Sequence, residues 1–99
     1  MKIEHKHNKT KGEVYKAIDG LLGKLVIQHK DKVQNYSKNW NSSKDIMEFS
    51  LYAKGFKISG KVQLYDSLIV LEGKLPFLAK LYQDKIESMI KKTLKEVLG

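Results

Sequence analysis

The stretch Phe77 to Leu98 constrains the fold more than any other part of the chain. Phe77, Leu78, Leu81, Tyr82, Ile86, Met89, Ile90, Leu94, Val97 and Leu98 recur at spacings of three and four. That pattern predicts one long amphipathic α-helix with a wide apolar stripe. Lys80, Gln83, Asp84, Glu87, Lys91, Lys92, Lys95 and Glu96 fill the other face. Pro76 stands just before the helix, where a missing N–H costs nothing, and Gly99 follows it. Such a helix is stable only when its stripe is buried against another apolar layer. The rest of the chain therefore has to supply a surface to lie on.

The middle of the chain has the period of that surface. Val33–Trp40 reads as a strand with Tyr36, Lys38 and Trp40 on one side. Asn41-Ser-Ser-Lys-Asp45 is a turn cluster. In the next strand, Ile46–Ala53, the residues Met47, Phe49, Leu51 and Ala53 form the apolar face. After Lys54-Gly55, the residues Phe56, Ile58, Gly60, Val62 and Leu64 alternate with Lys57, Ser59, Lys61, Gln63 and Tyr65, the pattern of a half-buried strand. Asp66-Ser67 turns the chain again into Leu68-Ile-Val-Leu71, which is apolar on both faces, with Gly73 as an expected kink. Short turns between these strands predict an antiparallel meander.

The N-terminal third adds a strand and a helix. In Lys2–His7, Ile3, His5 and His7 share one face. Thr10 and Glu13 have capping-box spacing. Val14, Ala17, Ile18, Leu21, Leu22 and Leu25 then continue at helical spacing to about His29, through Gly20 and Gly23. The expected architecture is α+β, in the order β-α-β-β-β-β-α. It is a curved antiparallel sheet with two helices on one face, as in TATA-binding-protein-like and helix-grip folds. At 99 residues the expectation is a single domain spanning 1–99.

Composition narrows function mainly by exclusion. There is no cysteine, which removes disulfides, thiol nucleophiles and cysteine zinc sites. The opening decapeptide lacks the apolar core of a secretory signal, and no apolar run reaches the ~20 residues of a transmembrane helix. A cytoplasmic location is expected. The net charge is +8, and every basic residue is a lysine. The charge is spread evenly along the chain, and the arginine best suited to bidentate phosphate contacts is absent, so nucleic acid is a disfavoured partner. His5 and His7 have a chelating spacing on one strand, but no third ligand can be placed beside them, so no metal or other cofactor is expected. No paired carboxylates, nucleophile triad or phosphate loop is present, and no catalytic residue is assigned.

Two surfaces remain as candidates. Met47, Phe49, Phe56, Tyr82 and Met89 are placed to line an apolar pocket beneath the long helix, as in a carrier of an acyl-like ligand. Trp40, Tyr52, Tyr65, Leu68 and Val70 are candidates for an outer interaction face. That face could make a homodimer contact or, with Lys57 and Lys61, stack single-stranded bases.

Several features taken in order resemble a known family. They are His7 before a short cap, an amphipathic helix ending near His29, Trp40 before a turn, Phe56-Lys-Ile-Ser-Gly60, Leu75-Pro-Phe-Leu78 and the closing helix. This set resembles the small polyhydroxyalkanoic acid system (granule-region) proteins of bacteria over nearly the whole chain. The resemblance implies a cytoplasmic, non-enzymatic accessory or binding protein, with the storage-granule surface or granule proteins as partners. It carries over no catalytic residues. The chain departs from the family's use of arginine in being lysine-only.

The buried stripe makes a direct prediction. Met89→Asp would place an unpaired charge beneath the helix and should abolish cooperative thermal unfolding. An unchanged melting temperature would show that Met89 faces water.

Overall fold

The computed structural model describes Met1–Gly99. Its elements are β1 (Lys2–Lys6), α1 (Lys11–Asp19), α2 (Leu21–Gln28), β2 (Val33–Trp40), β3 (Ile46–Ala53), β4 (Phe56–Leu64), β5 (Leu68–Lys74), a 3-10 segment (Phe77–Tyr82) and α3 (Gln83–Leu98). The five strands form one antiparallel sheet in the order β1-β5-β4-β3-β2, so β2 to β5 are a meander and β1 pairs with its last strand. This is the expected α+β architecture. The expected first helix is two helices, because the chain breaks at Gly20 (φ −90°, ψ −4°). The capping box is formed as its spacing predicts. Thr10 Oγ1 accepts from the Glu13 N–H at 3.2 Å, and the Thr10 N–H donates to Glu13 Oε1 at 3.0 Å.

Strand alternation sorts the sheet into two faces. Ile3, Met47, Phe49, Leu51, Ala53, Ile58, Val62, Ile69 and Leu71 point inward and are buried. They join Val14, Ile18, Leu21, Leu22 and Leu25 of α1 and α2, and Ile86, Met89, Ile90, Leu94 and Leu98 of α3, in one continuous cluster. The C-terminal part of the stripe is therefore buried as expected. Thr93 is buried with it and shares its hydroxyl between Gln28 Oε1 (3.0 Å) and the Met89 carbonyl (3.1 Å). The far end of α3 is tied to the first strand by a hydrogen bond of 3.0 Å between His5 Nε2 and the Gly99 carbonyl.

Two local features set the shape of the sheet. Lys54 and Gly55 both have positive φ (52° and 82°). This two-residue connection matches the twist of the strands it joins. Gly60 lies directly opposite Gly73 in the β4–β5 ladder. A Cβ on Gly60 would sit 1.9 Å from the Glu72 carbonyl oxygen and 2.8 Å from the Gly73 Cα. Backbone cannot yield there as a flexible side chain could, so glycine is required for close approach rather than for φ. The open edge β2 is interrupted by a bulge between Gln34 and Ser37, with Asn35 at φ 51°. A bulge of this kind discourages edge-to-edge pairing.

A polar cluster pins α1 to the end of β2. Asp19 Oδ1 accepts from Lys38 Nζ at 2.8 Å and from the Trp40 indole N–H at 2.9 Å. Trp40 stacks on Tyr15, with ring centroids 4.7 Å apart, and Lys44 lies 5.3 Å over the Tyr15 ring. An aspartate in the last turn of a helix opposes the helix dipole. Here the ammonium and indole donors offset that cost, and the Lys38 hydrogen bond, followed by that of Trp40, holds the Asp19 carboxyl below its ordinary value.

Two outcomes follow. Gly60→Ala should lower stability by about 1–3 kcal/mol in chemical denaturation through overpacking, and more than Gly73→Ala, whose nearest obstacle is the flexible Met1 side chain. Equal losses would contradict the close approach at Gly60. A depressed carboxyl stabilises the fold above its unfolded value of about 4, and that contribution is lost as pH falls through the folded value. Asp19→Asn should therefore lower the melting temperature by a few degrees at pH 7, with a gap that closes below about pH 4. A gap that stayed constant with pH would show that Asp19 makes no such contribution.

Candidate functional site

The chain between β5 and α3 does not continue the helix. Pro76 is extended (φ −56°, ψ 155°), the Ala79 N–H donates to the Pro76 carbonyl at 2.9 Å, and the segment winds as a 3-10 helix before α3 begins at Gln83. With three residues per turn, side chains at i and i+3 eclipse. That period puts Phe77 with Lys80, Leu78 with Leu81, and Ala79 with Tyr82 on three edges. The inward edge is the third. Ala79 is fully buried, and the Tyr82 ring packs 6.1 Å from that of Phe56. The other two edges face water: Phe77 is 83% exposed, Leu78 62% and Leu81 82%. This corrects the expectation that Phe77, Leu78, Leu81 and Tyr82 belong to the buried stripe, since Tyr82 packs against Phe56 yet is 41% exposed.

The segment is anchored from the sheet side. Lys54 Nζ lies 5.4 Å over the Tyr82 ring, and the Lys54 N–H donates to the Lys32 carbonyl at 2.7 Å. Lys80 is exposed within the segment, and Lys74 is exposed just before it. The result is a short apolar ridge with Lys54 and Lys80 beside it, while Lys74 pairs with Ser59 and points to the outer face of the sheet. Fully burying a large apolar side chain is worth about 1.5–3 kcal/mol, so these three, partly covered already, offer roughly 3–7 kcal/mol to an apolar surface. Association itself costs about 4–15 kcal/mol. The ridge alone is thus a marginal anchor that needs a second contribution, and neighbouring charge can supply it.

The expected pocket is not assembled. Met47, Phe49 and Met89 are buried in the continuous core, Phe56 is half-buried, and Tyr82 is 41% exposed. The four principal clefts have volumes of about 530, 320, 300 and 340 Å³, and none is lined by Met47, Phe56, Tyr82 or Met89. The largest lies on the outer side of the sheet, against Glu48, Ser59, Lys61, Glu72 and Lys74.

The expected outer face is likewise divided. Trp40 pairs with the inward Met47 and lies on the helix side, bound to Asp19, so it does not share a face with Tyr52 and Tyr65. Its position on the other side follows from the strand's own alternation, with Lys38 and Trp40 together. Tyr52 and Tyr65 are 41% and 52% exposed. Tyr52 pairs with Lys57, eight residues along the chain from Tyr65, which puts the two tyrosines about 26 Å apart at ~3.3 Å per residue. They do not form one stacking platform. Between them the charges alternate: Glu48 opposes Lys61, Lys61 opposes Glu72, and Glu72 opposes Lys2. Leu68 and Val70 do point outward, but Leu68 is half-buried and Val70, flanked in register by Glu4 and Gln63, is only 7% exposed. They contribute little free apolar area.

Only part of the histidines' hydrogen-bonding capacity is used, since the buried Nε2 atoms of His7 and His29 have no partner. His5 bonds the end of α3, and His7 is buried with Nδ1 accepting from the Lys9 N–H at 3.2 Å.

Comparison with known families decides what this fold belongs to. A family model described as "putative polyhydroxyalkanoic acid system protein" matches residues 1–98. The chain belongs to that family. The match spans the sheet, the core and the exposed segment together, and agrees with the resemblance carried by Trp40, Gly60 and Leu75-Pro-Phe-Leu78. No curated protein and no solved structure matches the chain. The polyhydroxyalkanoic acid system assignment therefore places the protein in a biological setting without supplying a molecular activity. No helix is long and apolar enough to cross a membrane.

The ridge has a consequence for stability. Because its side chains lie outside the core, the double substitution Phe77→Ser with Leu81→Ser should leave the melting temperature within about 2 °C of the parent, as surface changes do. A loss of several degrees would place these residues in the core after all.

Proposed function

We propose that the protein is a non-enzymatic, cytoplasmic accessory protein of bacterial polyhydroxyalkanoate storage that docks on the granule surface through Phe77, Leu78 and Leu81. The observation that carries this reading is the exposure of three large apolar side chains on one short 3-10 helix. Monomeric soluble proteins scatter such residues singly, and a contiguous group marks a contact site. Membership in a family described by a polyhydroxyalkanoic acid system favours a storage granule as the surface that the ridge meets. The absence of a catalytic constellation in the sequence supports an accessory role over an enzymatic one. A carrier role finds less support, because Met47, Phe49 and Met89 are members of a filled core.

Co-sedimentation with isolated polyhydroxyalkanoate granules tests the reading. The parent protein and a Tyr65→Ser control on the outer sheet face should pellet with granules. The Phe77→Ser, Leu81→Ser double variant should stay in the supernatant while still folded. Equal pelleting of the double variant would overturn the proposed docking site.

A further inference from the structure

Resting on that reading of the segment as a docking site, we propose that the surface it recognises is an anionic phospholipid layer. Phe77, Leu78 and Leu81 insert at the level of the head groups, and Lys54 and Lys80 contact phosphates. The first reason is shape. The apolar residues stand on two edges of a two-turn 3-10 helix and form a ridge, not a groove. A stable protein partner needs on the order of 1,000 Å² of complementary surface, far more than three side chains offer. A lipid layer accepts a ridge of this size directly.

The second reason is charge. Lys80 lies in the 3-10 segment on the edge of Phe77, and Lys54 is held over the Tyr82 ring at the base of the ridge. An uncharged polyester surface would give these ammonium groups nothing to contact, whereas phosphates would. Lysine suits that role, since its strongly hydrated head stays in the polar layer while its stem lies along apolar surface. The chain's net charge of +8 acts in the same direction at longer range. The third reason is preorganisation. Buried Ala79 and the packed Tyr82 fix the ridge, so its exposure belongs to the folded state and not to a frayed end.

The test is flotation of the purified protein with vesicles of phosphatidylcholine alone, vesicles containing one-third phosphatidylglycerol, and lipid-free amorphous polyhydroxybutyrate particles. The parent should bind the anionic vesicles about tenfold to a hundredfold more tightly than the neutral ones, with binding that weakens as salt is raised. Phe77→Ser with Leu81→Ser should remove binding to the anionic vesicles. Lys54→Gln with Lys80→Gln should remove the preference for anionic lipid while the protein still unfolds cooperatively. Binding to bare polymer without preference for anionic vesicles would overturn the lipid proposal and leave the granule reading standing. Binding to neither would overturn both. A dimer that Phe77→Ser with Leu81→Ser converts to monomer, without vesicle binding, would assign the ridge to a second copy of the chain and overturn the proposal.

Discussion

The structure depends on removing the stripe Ile86, Met89, Ile90, Leu94 and Leu98 of α3 from water. An amphipathic helix of this length is marginal in isolation, and its stability comes from what it covers. Here the inner faces of the strands and the apolar sides of α1 and α2 join it in one core. The other constraints serve that burial. The capping box starts α1, the Asp19 cluster fixes α1 against β2, and the His5 contact with Gly99 fixes the end of α3 against β1. Gly60 lets β4 and β5 approach closely within the sheet that forms the floor.

Burial of α3 also explains why its approach segment is exposed. At about 100° per residue, a continuous helix would place Leu81 about 180° from Ile90, and Phe77 about 140° from it. No single helix could bury all of them on one side. The chain resolves the conflict after Pro76 by winding as a 3-10 helix, which buries Ala79, leaves Tyr82 partly exposed against Phe56 and releases Phe77, Leu78 and Leu81 to solvent. The ridge is thus a geometric consequence of where the core stripe begins. A function that uses an apolar contact can draw on it without cost to the core.

The same geometry shows what was legible in the sequence. The strands were, because their period of two persists from Ile46 to Leu64 and changes only at turn residues. Val14 to Leu25 and Ile86 to Leu98 were legible as helices for the matching reason at period 3.6. Counting spacings of three and four concealed the drift at Phe77 and Leu81. Angular positions would have revealed it, since consecutive small offsets sum to half a turn. The break at Gly20 and the steric need for Gly60 lie beyond local pattern, because both depend on a second element's position. The placement of Trp40 was readable, since it shares its parity with Tyr36 and Lys38. Its bond to Asp19 spans twenty-one residues and is a tertiary fact. Pocket and outer face were chosen for residue type, whereas core filling and register decide which residues meet.

The central claim is that the chain before α3 turns its large apolar residues outward. The chain has no cysteine, so single thiols can be placed without background. The most direct measurement is the labelling rate of folded Leu81→Cys and Ile86→Cys variants with a small thiol reagent. The account predicts that the thiol at position 81 reacts at the rate of an unfolded peptide, while that at 86 is protected by orders of magnitude. Equal protection at both positions would mean that the helix runs unbroken over the sheet, and would contradict the account.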